Sequence, residues 1–112
     1  MKPKISLHPM YTLLRDGKIA EFNARYKTGE IPDLSNCDFR SVDLRGIEVA
    51  RMDFRGSYFR QADLRGVDLS QCNLEGASLH GTKISGTLLP KELTAQEILL
   101  SNQQGTRMRY GV

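Results

Sequence analysis

The chemically capable residues of this 112-residue chain are carboxylates and guanidiniums that recur at fixed intervals. Asp43 and Asp63 stand twenty residues apart, each two residues before an arginine, Arg45 and Arg65; Arg40 and Arg60 keep the same interval. Paired carboxylates do acid–base work when a cleft gathers them and retunes their protonation. Here the acids come with cations already beside them, and no set of nucleophile, base and orienting group accompanies them. Rows of arginine suit a different task, because a planar guanidinium donates to carboxylate or phosphate oxygens in a fork. Arg40, Arg45, Arg60 and Arg65 are therefore the candidate partner-binding wall, and no catalytic residue is assigned. Cys37, Cys72, His8 and His80 lack zinc-site spacing, so neither a metal nor a cofactor is expected. Neither a glycine-rich phosphate loop nor an HExxH helix occurs.

The groups that would make up this wall are spaced by a period of five. A large apolar residue occupies every fifth position from Leu34 through Phe39, Leu44, Val49, Phe54, Phe59, Leu64, Leu69, Leu74, Leu79 and Ile84 to Leu89. Two residues before each centre lies a mostly small or apolar residue, such as Cys37, Ala62, Cys72 or Ala77. Between them sits an acid or polar residue; after the centre often comes Arg, then Gly. Five matches neither an α-helix nor a lone strand. It matches a chain that turns a corner every five residues, with the small residue and the centre pointing inward from a short extended stretch. The acid and the arginine then point outward, and glycine relieves strain at the corner.

The repeats Ala62–Gly66 (ADLRG), Asp43–Gly46 (DLRG) and Cys72–Gly76 (CNLEG) resemble the pentapeptide-repeat family, whose motif is A(D/N)LXX with Leu or Phe at the centre. The resemblance implies a mainly β fold, a short right-handed quadrilateral β-helix with four pentapeptides per turn. Twelve centres then make about three coils. Matches at a spacing of twenty, such as Phe39 with Phe59 and Asp43 with Asp63, would stack. Bulky residues in the small slot, Val42, Ile47, Met52 and Val67, point to looser early coils. Cys37 and Cys72 would sit on adjacent faces about 10 Å apart, beyond disulfide reach, as buried thiols.

So short a solenoid has open ends relative to its wall, and each end needs a cap. The expected organisation is one folding unit: an N-terminal arm and capping helix over 1–31, the β-helix over 32–91, and a C-terminal capping helix and tail over 92–112. The first helix is expected over Lys18–Thr28, with Ile19, Phe22 and Tyr26 on one face, Asp16 as N-cap and Gly29 just beyond its end. Tyr11, Leu13 and Leu14 add apolar cover upstream. Thr94 and Glu97 form a capping-box signal for a second helix to Gln104, stopped by Gly105. Ile98, Leu99 and Leu100 would supply its buried face. The tail alternates Thr106, Met108, Tyr110 and Val112 against Arg107 and Arg109, the period of a short strand or extended arm. Ile98, Leu99, Leu100, Met108 and Tyr110 form the candidate cap or homodimer surface.

Formal charge is +3, from six Lys/Arg against three Asp/Glu in 1–31, eight against eight in 32–91 and two against two in 92–112. No apolar run approaches the roughly 18 residues of a membrane span, and no basic-then-apolar leader is present. A soluble, cytoplasmic protein is expected. The functional expectation is a non-enzymatic protein–protein interaction scaffold, with a homodimer and an unidentified protein as partners. The alternative is electrostatic binding of nucleic acid or phosphate by the basic arm (Lys2, Lys4, Arg15, Lys18, Arg25, Lys27). Some pentapeptide-repeat proteins are topoisomerase-binding DNA mimics, a role needing a long, strongly negative rod. This chain differs in length and in the sign of its charge.

Overall fold

At half of the corners an aspartate begins the turn. An aspartate Oδ1 accepts the backbone N–H two residues on: Asp43 from Arg45 (3.1 Å), Asp53 from Arg55 (3.0 Å), Asp68 from Ser70 (2.9 Å). This is the local hydrogen bond that makes Asp a turn residue. The corner then closes with a hydrogen bond back to the centre, as from Val67 N–H to Leu64 C=O (3.1 Å) or Ala62 N–H to Phe59 C=O (2.9 Å). The residue before the closing donor takes a positive φ, 73° at Gly66 and 57° at Gln61. The repeated acid is thus part of the folding code as well as of the outer wall.

The computed structural model describes residues 2–111. Within the repeat its parallel bridges join residues twenty apart: Asp38 to Tyr58 to Ser78, Asp43 to Asp63 to Lys83, Asp53 to Asn73 and Asp68 to Leu88. Four pentapeptides therefore make one turn of the coil. The faces are named here by their centres: face 1 (Leu34, Phe54, Leu74), face 2 (Phe39, Phe59, Leu79), face 3 (Leu44, Leu64, Ile84) and face 4 (Val49, Leu69, Leu89). The bridges are isolated, and among the described residues no continuous strand or sheet forms. The expectation of a mainly β coil of short strands is corrected to that extent. A five-residue side gives so much of its length to the corner that one residue remains in ladder geometry.

Inside, the centres stack in columns. Phe39 and Phe59 lie 5.3 Å apart and nearly parallel, as the twenty-residue spacing predicts, with Phe54 edge-on to both and Tyr11 against Phe39. Leu44, Leu64 and Leu69 are fully buried below faces 3 and 4. The small slot carries hydrogen bonds as well as packing. Ser57 Oγ donates to Leu34 C=O (2.7 Å), Thr82 Oγ1 to Phe59 C=O (2.6 Å) and Thr87 Oγ1 to Leu64 C=O (2.6 Å), each satisfying a carbonyl one coil away. The expected looseness of the early coils shows on face 1, where no bridge joins Asp33 to Asp53, and on face 4. The register calls for bonds from Asp68 N–H to Ile47 C=O and from Val49 N–H to Asp68 C=O, and neither forms. Ile47 and Val67 fill the small slots there, and a groove of about 680 Å³ opens beside them.

Three helices and two arms cap the ends. Helix α1 (Pro9–Arg15) was expected only as apolar cover; Pro9 opens it, and the His8 imidazole accepts from Met10 N–H (3.0 Å). It buries Met10, Tyr11, Leu13 and Leu14, and the Tyr11 hydroxyl donates to Asp38 C=O. Asp16 ends α1 as its C-cap; it does not begin α2 (Ile19–Lys27), a correction forced by the unforeseen helix before it. Helix α3 (Ala95–Gln104) starts at Thr94, whose hydroxyl accepts from Glu97 N–H (3.1 Å), and stops at Gly105 with φ 77°.

The buried face of α3 differs from expectation. Leu99 and Leu100 are 56% and 41% exposed, Ile98 packs at the margin of the core, and Glu97 and Ser101 are buried. Ser101 Oγ accepts from Leu79 N–H (2.9 Å), and Asn102 C=O accepts from Gly81 N–H (2.9 Å). The edge of the coil presents polar backbone, so a polar helix face serves it better than leucine.

Candidate functional site

Face 2 is the side that both arms extend. Lys4 N–H donates to Asn36 C=O (2.8 Å) and Asp38 N–H to Lys4 C=O (2.8 Å), which adds a rung above the first coil. At the other end Gly76 N–H donates to Met108 C=O (2.7 Å) and Met108 N–H to Ala77 C=O (2.9 Å). At Met108 the tail is thus the extended arm its alternation predicts, and Val112 lies outside the described residues. Met108 is buried and Tyr110 half-buried, its hydroxyl accepting from Leu74 N–H (2.9 Å), so both serve as cap rather than free surface. Of the five residues read as cap or dimer surface, only Leu99 and Leu100 face solvent.

Folding at twenty residues per turn sorts the charges by face. Face 1 sets Asp33, Asp53 and Glu75 against Arg55, a net −2; face 4 balances Glu48 and Asp68 with Arg51 and Lys91. Face 2 has Asp38 against Arg40 and Arg60, and face 3 has Asp43 and Asp63 against Arg45, Arg65 and Lys83, each +1. A wall neutral along the chain is polarised in space.

The four candidate arginines therefore divide into two pairs. On face 3, Arg45 Nη2 meets Asp43 Oδ2 at 2.8 Å and Arg45 Nε meets Asp63 Oδ2 at 3.3 Å, while Arg65 Nη2 meets Asp63 Oδ2 at 2.7 Å. The Arg65 hydrogen bond holds the Asp63 carboxyl down to about 2, and Arg45 likewise lowers Asp43. These carboxylates stay ionised at neutral pH and their lone pairs are taken, a poor arrangement for a general base.

On face 2 the balance differs. Arg40 and Arg60 border a recess of about 340 Å³ together with Lys2, Pro3, Asp38 and Tyr58. Asp38 accepts from Arg40 N–H (2.9 Å) and lies 3.3 Å from Arg40 Nη2. Among the described residues Arg60 and Lys2 have no ion pair. Arg15 Nη1 donates to Arg40 C=O (2.9 Å), bringing another cation to the upper rung. Arg107, from the tail, lies 4.7 Å from the Tyr58 ring centroid and donates to its hydroxyl (3.0 Å) and to Gly76 C=O (2.9 Å). Sequence reasoning passed over Tyr58 and Arg107 as site residues. Tyr58 did carry a signal, since it stands where the repeat normally places its acid. His80, one rung below Arg60, lies against Gly105.

Cys37 and Cys72 are both free and buried, and burial pushes each thiol up to about 11. Cys72 Sγ points at Val49 C=O (3.5 Å), the same role that Ser57 and Thr82 play on their faces. Among the described residues no group of three or more His, Cys, Asp or Glu is placed to hold a metal ion, and no helix is long and apolar enough to cross a membrane.

The family model for pentapeptide repeats (8 copies) matches residues 33–71 and 53–89, together half of the chain. Comparison with curated proteins and with solved structures gives no match.

Proposed function

The chain belongs to the pentapeptide-repeat family, and on that premise we propose that it is a non-catalytic scaffold working by protein–protein contact. The observation that carries this reading is the sorting of charge by face. The coil offers one wall whose arginines are closed in ion pairs and beside it one where, among the described residues, Arg60 has none. In this reading the coil is a right-handed quadrilateral β-helix of about three turns, which the twenty-residue bridge register supports. Arg40 and Arg60 form the binding part of the expected wall, and Arg45 and Arg65 chiefly stabilise it.

A homodimer is part of the same proposal. Leu99 and Leu100 on α3 and Leu88 on the last coil, 56%, 41% and 57% exposed, are apolar surface at the C-terminal end. Light scattering at tens of micromolar checks it: a dimer mass that falls to monomer in Leu99→Glu is expected, and a monomeric wild type removes the idea.

The scaffold itself is tested by affinity capture from the native host's lysate, comparing wild type with a variant in which Arg40 and Arg60 are both Glu. A defined protein held by wild type and lost with the variant is expected. If nuclease treatment abolishes capture, nucleic acid is the ligand. That second reading has in its favour that Lys2 of the basic arm lines the face 2 recess. Affinity for DNA would then fall steeply with salt.

A further inference from the structure

We propose that the face 2 recess docks an acidic segment of the partner protein, its carboxylates held by Arg60 and Lys2 with Arg40 alongside. This rests on the scaffold reading and names the chemistry of its partner.

Three observations carry it. The first is the unequal use of the arginines. Ser41 N–H donates to Arg60 C=O (2.9 Å), which sets Arg40 and Arg60 one rung apart, about 4.8 Å. Asp38 already occupies Arg40, whereas among the described residues neither the Arg60 nor the Lys2 side chain makes a hydrogen bond or an ion pair. The second is that the second coil has Tyr58 where Asp63 and Asp53 stand on the neighbouring sides. Arg60 therefore has no carboxylate two residues before it, as Arg65 has in Asp63. An external carboxylate supplies the missing partner at a position the fold has prepared.

The third is the fixed geometry of the recess. Arg107 holds Tyr58 by a bond to its hydroxyl and by stacking on its ring, and the two backbone arms stiffen the rungs around it. A partner's side chains therefore meet preset donors and an apolar ring, which lowers the ordering cost of binding.

Charge around the recess favours a short acidic peptide over nucleic acid. A duplex presents a phosphate about every 1.7 Å of its axis and is matched by a continuous basic stripe. Face 1, next to face 2, carries Asp33, Asp53 and Glu75 against one arginine, which repels a long polyanion but leaves room for a segment confined to the recess.

The test is fluorescence anisotropy with a labelled hexaglutamate peptide at about 50 mM salt, where screening is weak. A labelled DNA duplex is titrated in parallel. Wild type should bind the peptide saturably. Arg60→Glu should weaken binding at least about tenfold, whereas Arg65→Gln on face 3 should change it less than about twofold. Lys2→Glu, outside the coil, is the second variant should Arg60→Glu fail to fold. The proposal is overturned by absent peptide binding in wild type, by equal losses on the two faces, or by a duplex that binds more tightly and is lost with Arg60→Glu. If the peptide does not bind while lysate capture of a protein persists in Arg60→Glu, the recess assignment falls and the scaffold reading stands. If nothing is captured, the scaffold reading itself falls.

Discussion

Faces 2 and 3 are neighbouring walls of one coil, built from the same five-residue pattern, and they differ at every level. Below face 3 the column is aliphatic, Leu44, Leu64 and Ile84; outside, Asp43 pairs with Arg45, and Asp63 with both Arg45 and Arg65. Below face 2 the rings of Phe39 and Phe59 stack in one column with Leu79; outside, one acid faces several cations, and both ends are extended by arms from beyond the repeat. The difference comes from single replacements at equivalent positions. Tyr58 against Asp63 decides whether an arginine is neutralised or left open. The comparison teaches that a repeat can keep its backbone constant while each face takes its own electrostatic task.

The two faces share one core, so the largest effect should come from beneath face 3. Leu64→Asp puts a charge into a site that is 1% exposed, and is expected to cost more than about 4 kcal/mol and leave no cooperative unfolding transition by circular dichroism. A folded variant with face 2 intact would show that the walls are independent. Phe59→Ala removes the middle member of the face 2 column and should cost about 3–5 kcal/mol by urea unfolding. A loss below about 1 kcal/mol would mean that the stacked rings add nothing special to that side. Arg107→Ala leaves Tyr58 and the Gly76 carbonyl without their partner and should cost about 2 kcal/mol, with faster exchange of the Met108 amide as its local sign.

Asp63 sharpens the comparison through pH. Its carboxyl lies at about 2 in the folded protein against an ordinary 3.8, chiefly through the Arg65 hydrogen bond. A lowered folded-state value means stability that is complete above pH 3.8 and lost as pH falls toward 2. The urea midpoint of wild type should fall across that window, and Asp63→Asn should begin lower and run flatter. Equal slopes would show that the face 3 ladder is not coupled to folding. The smallest effect is expected at Arg60→Gln, within about 0.5 kcal/mol of wild type. A large loss there would mean that face 2 has a hidden ion pair and is not an open site.

Much of the fold was readable because its signals are local. The centres from Leu34 to Leu79 are buried where the period of five places them, and Thr94 and Gly105 bound α3. Helix α1 was missed because its one strong signal, Pro9 after His8, is short and carries no apolar periodicity beyond one face. The Leu99 and Leu100 expectation failed for a different reason. Hydrophobicity marks what would gain from burial, but the coil edge demanded hydrogen-bonding partners, and Ser101 and Asn102 supplied them.

Half of the candidate site was legible. Arg40, Arg45, Arg60 and Arg65 could be named from spacing alone, yet spacing treats them as equals. By itself the sequence determined the period, the inward columns and the corners, since these follow from residue type within five positions. The tertiary structure alone decided which charges become neighbours. Ion pairing depends on distance through space, and the twenty-residue turn puts Asp63 beside Arg45 while it puts Tyr58, Lys2 and the far tail beside Arg60.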